Sequence, residues 1–449
     1  MVRFTDDINF KSYLRKGYLY MPKSPIQVAT IILAGGQGTR LHPLTVNHSK
    51  PAVSYGGRYR LIDIPISNSI NSDFRQIFVI AQYLSAELQH HISQTYQFDH
   101  FNPGSVDVLT PQENATGERQ WFTGTADAVR KNLSTILKST ADYFLILSGD
   151  QLYNINFQSM VQCAVDNDAD LTIASLPINN KDAKRMGLLQ IDKTGKVVDF
   201  VEKPQEESIL ESFKLPPSFF EKWELKTSKK PSYLGSMGIY VFKRETLISL
   251  LTTDPRDDFG FHLISTAVKK GKTHAFLYNG YWEDIGTVAS YYEANLMLTQ
   301  SKEGLNTYDE TNPIYTRATY LPGPKIESTH ISQSIICEGS LIEAQEITHS
   351  IIGLRSYIKK GTIIRDTVMM GNHHYMPPLH EGKPMKIEYG IGENCLIERS
   401  IIDEHVRIGN NVKLINEKKL DRYEGNGIYI RDGIIIVTAG THLPDGFIL

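Results

Sequence analysis

"QSIICEGSLIEAQEITHSIIGLRSYIKKGTIIRDTVMMG", Gln333 to Gly371, follows neither the helical period nor simple alternation. Its apolar residues recur near every sixth position, from Ile336 to Ile342 and from Ile352 through Ile358 to Ile364. That spacing predicts a parallel β-helix, in which each rung buries its apolar edge only by stacking on the next. The rhythm resumes at Ile391 and Ile397, then Ile402, Ile408 and Leu414, and the stretch from Asn372 to Gly390 interrupts it as a loop. Upstream, "YDETNPIYTRATYLPGPK" (Tyr308–Lys325) has prolines that block helix and sheet alike, so a linker is predicted there. The resulting division is an N-terminal extension (1–26), a first domain (27–305), a linker (306–325) and a repeat domain (326–449).

The first domain has a different texture. "VATIILAGG", "QIFVIAQY", "DYFLILSGD", "ADLTIASLPI", "SMGIYVF" and "HAFLYNG" are short apolar runs bounded by turn residues, as buried strands are. Between them lie helical patterns such as "TADAVRKNLSTILKS". Alternation of this kind predicts an α/β, doubly wound, mostly parallel Rossmann-like sheet, with ligands at the C-terminal ends of its strands.

The chain has 449 residues, 41% hydrophobic and 22% charged, with net charge −3. That length predicts two domains, and that charge argues against broad nucleic-acid or membrane-surface binding. Cys163, Cys337 and Cys395 show no CxxC spacing, so a reducing compartment and a cytoplasmic location are expected.

After the first strand comes "AGGQGTR", and such a glycine-rich turn before a helix start exposes backbone N–H groups to a phosphate chain. It lacks the third glycine of GxGxxG and the GK[ST] of a P-loop, so neither chemistry is supported. Arg40 and Lys50 add two cations near the expected anion.

These residues resemble the sugar-nucleotide pyrophosphorylase family. "LAGGQGTRLHPLT…KPAV" is similar to its signature. "YRLIDIPISN", "WFTGTADAVR", "SGDQLY", "VEKP", "SMGIYVF" and "GYWEDIGT" resemble the ADP-glucose-forming branch in particular. The resemblance covers nearly the whole chain. It implies a nucleotidyltransferase domain, a left-handed β-helix, ATP and glucose 1-phosphate as substrates, ADP-glucose and pyrophosphate as products, and Mg²⁺ as cofactor. It further implies small anionic effectors, a homotetramer, and a place in glycogen or starch synthesis. The alternatives are another nucleotide or sugar phosphate, or a non-catalytic regulatory subunit of the same fold.

Nucleotidyl transfer needs positioning, cations and metal more than an activated side-chain nucleophile. The resemblance implies Asp150 and Asp284 as metal ligands, with Arg40 and Lys50 acting on the triphosphate and the leaving pyrophosphate. Gly35, Gly36, Gly38, Thr39, Gly124, Thr125 and Asp127 would face the nucleotide. Phe122, Gly187, Glu202, Lys203 and Ser236 would form the glucose 1-phosphate pocket, with Lys203 on the phosphate and Glu202 on the sugar hydroxyls. Asp63 would support a loop electrostatically.

Arg60 matches a family arginine near a regulatory anion site. Arg355 and Lys413 lie in stretches similar to members that respond to 3-phosphoglycerate. Asn47, standing where fructose-bisphosphate-regulated members carry a basic residue, makes fructose 1,6-bisphosphate an expected weak activator. The pairs His90-His91 and His373-His374 are read as surface residues, because adjacent side chains point apart and no third ligand is near in sequence. His349 and His405 are isolated, so acyl transfer on the repeat domain is disfavoured.

Overall fold

The computed structural model describes residues 26–112, 121–225, 232–300, 304–375 and 389–449. Nine strands form the central sheet of the first domain: β1 (Val28–Ala34), β2 (Gln76–Ala81), β3 (Ser105–Leu109), β4 (Tyr143–Ser148), β5 (Leu171–Ile178), β6 (Gly187–Ile191), β7 (Val197–Glu202), β8 (Tyr233–Lys243) and β9 (Thr273–Leu277). All six apolar runs named above fall within them.

The order β7-β6-β8-β4-β1-β2-β3 has a parallel core, β4-β1-β2-β3. The long strand β8 runs antiparallel beside β4 and also pairs with β5 and β6, while β9 lies parallel to β5. Ile31, Ile32, Leu145 and Ile146 are fully buried, because both faces of this sheet are covered.

One local expectation is corrected. No α-helix follows the glycine turn directly: a single 3-10 turn, Thr39–Leu41, comes next, and the first α-helix among the described residues is Asp63–Asn71. The pattern "TADAVRKNLSTILKS" forms two short helices, Thr125–Lys131 and Leu133–Ile136. They break at Asn132, whose side-chain amide donates to the Ala128 carbonyl at 2.8 Å.

The second domain is a parallel β-helix. One edge stacks Ile326, Ile342, Ile358, Ile391, Ile408 and Leu443. Another stacks Ile347, Ile364 and Ile397, and a third Ile352, Met369, Ile402 and Val437. The six-residue period is thus the step from one face of a coil to the next. The period does not reveal an antiparallel excursion near the end of the chain, Arg422–Gly425 with Ile428–Arg431 and Ile434–Val437.

The segment before the β-helix is fastened to the first domain. Ser67 and Tyr96 hydroxyls donate to the Tyr315 carbonyl at 3.4 and 3.0 Å, and the Asn71 amide donates to Pro313 at 3.0 Å. The domains also touch directly. Gly57 (φ 75°) packs so tightly that a Cβ there would stand 2.9 Å from Gly353 and 3.0 Å from the Cys337 sulfur. Arg58 pairs with Glu338 at 2.7 Å across the same junction.

Candidate active site

At the C-terminal end of β4 the chain turns through Gly149 and Asp150 into the short strand Gln151–Tyr153. That strand pairs antiparallel with Trp282–Asp284, placing Asp284 opposite Gln151. The Ile285 N–H then donates to the Asp150 carbonyl at 3.2 Å, which brings two carboxylates from distant segments together. Asp150 accepts short hydrogen bonds from the Lys50 ammonium and the Ser148 hydroxyl. Lys50 is buried, so it is no solvated surface lysine.

Burial raises the Asp284 carboxyl, and the Asp150 charge pushes it further the same way; Lys50 and Arg40 pull against both. Arg40 is close enough that a Cβ on Gly286 would lie 3.6 Å from its guanidinium and 3.3 Å from the Asp284 carboxylate. Two facing carboxylates, one destabilised as an anion, suit a small hard cation such as Mg²⁺.

The glycines of the turn differ in kind. Gly38 needs its φ of 67°, and a Cβ there would stand 2.9 Å from Thr45. Gly35 is partly buried, with ordinary room for a Cβ against Gln82. A Cβ on Gly36 would meet nothing within 4 Å, so packing among the described residues does not require glycine there. Thr39 and Arg40 are exposed beside it.

Four of the expected sugar-phosphate residues, Gly187, Glu202, Lys203 and Ser236, form a second group at the same sheet end, and the fifth, Phe122, is held apart from them by Gln82. Gly187 pairs with Glu202 across β6 and β7. A Cβ on Gly187 would stand 2.7 Å from the Glu202 carboxylate, and one on Gly260 about as close, at 2.9 Å, so two glycines make room for that acid. Burial raises the Glu202 carboxyl despite Lys203, whose Nζ lies 3.1 Å away. Lys203 takes φ 46° and lays its ammonium 5.4 Å from the centre of the Phe261 ring. Ser236 is buried on β8, and its hydroxyl accepts from the Gly238 N–H at 3.3 Å. The Gln151 amide, next to Asp150, donates to the neighbouring Met237 carbonyl at 2.9 Å. This part of β8 therefore links the two groups.

The nucleotide-facing set is less uniform. Gly124 is required structurally, since a Cβ would stand 2.8 Å from the Asp257 backbone. The Thr125 hydroxyl donates to Asp258 at 3.2 Å. Asp127 is directed into its own helix and loop, pairing with Lys131 at 2.8 Å and accepting from the Thr123 N–H at 3.0 Å. Burial alone would raise its carboxyl, and these bonds lower it. Phe122 is held to Gln82 at the end of β2: its N–H donates to the Gln82 side chain at 2.7 Å. Trp121 stacks on Tyr83 at 5.6 Å. Ser148, Gln82, Gly260 and Phe261 escape motif reading; a polar residue at or just past the end of a buried strand was the available signal for Ser148 and Gln82, and Gly260 and Phe261, in the helical turn Phe259–Ile264, carried none.

The regulatory trio does not gather in one place. Arg60 is no open cation: it pairs with Glu87 at 2.8 Å and Glu404 at 3.6 Å, bridging the two domains. Arg355 lies nearby through Asn372, to whose carbonyl its guanidinium donates at 3.4 Å. Lys413 sits exposed on a different edge, paired with Leu396. A cavity of about 420 Å³ does lie between the domains, lined by Thr39, Arg40 and His42 from one and Arg422 and Arg431 from the other. His91 is also corrected: it is buried, with Nε2 2.6 Å from Asp63. Asp63 supports the adjoining loop, accepting from the Arg60 N–H at 2.9 Å and the Tyr96 hydroxyl at 2.7 Å.

A sequence profile described as nucleotidyl transferase matches residues 29–301. A second, described as the GLGC left-handed parallel beta-helix domain, matches residues 319–448. No helix among the described residues is long and apolar enough to cross a membrane. With more than half its length inside the first match, the chain belongs to the nucleotidyl transferase family, its catalytic domain joined to a left-handed parallel β-helix.

Proposed function

We propose that the protein transfers the adenylyl group of ATP to α-D-glucose 1-phosphate, forming ADP-glucose and pyrophosphate for glycogen or starch synthesis. The observation that carries this reading is the meeting of Asp150, Asp284, Lys50 and Arg40 beside the open backbone of Gly36. In the reaction a phosphate oxygen of the sugar attacks the α-phosphorus. The bond from that phosphorus to the bridging oxygen breaks, and pyrophosphate leaves with the electron pair. The attacking phosphate is already ionised, so no side chain need remove a proton.

What the chain must do is hold two polyanions in line and offset charge on the departing group. Arg40 and Lys50 supply that compensation, and the backbone at Gly35 and Gly36 admits the phosphates closely. Lys203 binds the sugar's phosphate, while Glu202, kept between Gly187 and Gly260, accepts from sugar hydroxyls near Ser236. Asp150 and Asp284 would hold Mg²⁺, which supplies further neutralisation of the triphosphate. Anionic effectors would bind in the cavity lined by Arg40, Arg422 and Arg431, with Asp432 the one acid of that lining, and would act there beside a catalytic cation.

Pyrophosphate release with glucose 1-phosphate and each of ATP, UTP, GTP, CTP and dTTP tests the proposal. ATP is expected to give the highest kcat/KM. Preference for another nucleotide reassigns the substrate, and no release with any of them refutes transfer to glucose 1-phosphate.

A further inference from the structure

The corner of the β-helix facing Arg60 gathers three acceptors that the catalytic site does not use. The strands Ile363–Gly371 and Leu396–Ile402 are neighbouring parallel rungs, with Met369 opposite Ile402. His373 follows the first rung and Glu404 and His405 follow the second, so all three leave the coil at one place. Asn372 fixes that corner, its side chain accepting from the His405 N–H at 3.0 Å and donating to the Arg355 carbonyl at 3.0 Å. The ligand atoms of His373, Glu404 and His405 lie within 4.8 Å of one another.

These atoms face each other as acceptors. The His373 backbone N–H donates to His405 Nε2 at 3.2 Å, so that nitrogen carries a lone pair. Arg60 approaches His373 Nε2 at 3.4 Å, and a guanidinium can only donate, so this nitrogen accepts as well. The buried Glu404 carboxylate stands 3.4 Å from the same atom. Arg60 offsets this convergence from one side only.

We propose that His373, Glu404 and His405 form a binding site for a divalent transition metal of the Zn²⁺ class, with water completing the shell. Two imidazoles and one carboxylate suit Zn²⁺ better than Mg²⁺ or Ca²⁺, which prefer oxygen alone. Tetrahedral bonds of about 2.0–2.2 Å put donor atoms roughly 3.4 Å apart, so the widest pair must close by at most about 1.4 Å. Rotation of the exposed His373 side chain supplies that movement. Arg60 can yield Glu404 and keep Glu87 and the Ala52 carbonyl. Loading the site therefore exchanges an ion pair between domains for a metal held within the β-helix.

The test is a competition titration of the full-length, metal-free protein with Zn²⁺ against a chromogenic chelator, in excess Mg²⁺. One site per chain is expected. His373→Ala and His405→Ala should each weaken it by about tenfold or more, whereas His90→Ala, at an exposed histidine outside the cluster, should not. Melting points measured in chelator establish that each variant is folded. Should His405→Ala fail to fold, the exposed His373→Ala decides alone. Absence of such a site in the wild type, or equal affinity in the folded ligand variants, overturns the proposal.

Discussion

The Ile285 N–H donates to the Asp150 carbonyl at 3.2 Å, a backbone bond that helps hold Asp284 and Asp150 in register. The pairing of Gln151–Tyr153 with Trp282–Asp284 continues that contact away from the site. Each acid is thus placed by main chain, which is stiffer than side-chain packing alone. Because burial and Asp150 raise Asp284, the pair is poised for a cation.

Lys203 should act on one substrate only. Its ammonium lies beside Glu202 and Phe261, in the group linked to the Asp150–Asp284 pair through β8. Lys203→Ala should raise the KM for glucose 1-phosphate at least about tenfold, on the scale of a lost charge-assisted hydrogen bond, with little change for ATP. Initial rates with each substrate varied in turn check this; equal effects would remove Lys203 from the sugar-phosphate pocket.

Glu202 should exchange stability for binding. Its carboxyl is raised above the usual 4.5, first by burial. A raised acid favours the folded state below its unfolded value and loses that contribution as pH rises through the folded one. Glu202→Gln should therefore melt higher than wild type near pH 7, with the gain vanishing as pH falls below 4.5. The same variant should bind glucose 1-phosphate more weakly. Melting curves across that range, alongside KM, measure both effects, and a gain that grows in acid would contradict the assignment.

Gly36→Ala separates ligand approach from folding. The added methyl meets nothing within 4 Å, so the melting point should stay within about 1 °C, corresponding to a change of only a few tenths of a kcal/mol. The KM for ATP should nevertheless rise at least about tenfold, because a methyl there would block close approach of phosphate to the backbone. Unchanged ATP kinetics would leave that glycine without a role.

Gly57→Ala should weaken the domain junction. Its φ of 75° and the 2.9 Å approach to Gly353 leave no room for a side chain. A loss of about 1–3 kcal/mol is expected from overpacking, seen as earlier melting and faster proteolysis between the domains.

Much of this fold was legible because its periods are strong. Apolar runs such as "TIILA" and "FLILS" can be little else than buried strands, and the six-residue recurrence from Ile352 to Ile364 follows from coil geometry. That Asp150, Asp284, Lys50 and Arg40 come together was legible because each belongs to a quoted motif beside a buried strand or the glycine turn. What stayed hidden depends on long-range packing. No local pattern tells that Arg60 is held by Glu87 and Glu404 or that His91 lies under Asp63, whereas Asp127 with Lys131 is an i,i+4 pair that helical spacing already offers. The excursion carrying Arg422 and Arg431 toward Arg40 likewise leaves no trace in the hexapeptide rhythm.

Asp150→Asn tests the central claim most directly, because the side chain keeps its shape and loses its charge. A fall in kcat for pyrophosphate release of about 10²-fold or more is expected, with the fold retained by melting point. A variant turning over ATP and glucose 1-phosphate at the wild-type rate would contradict it.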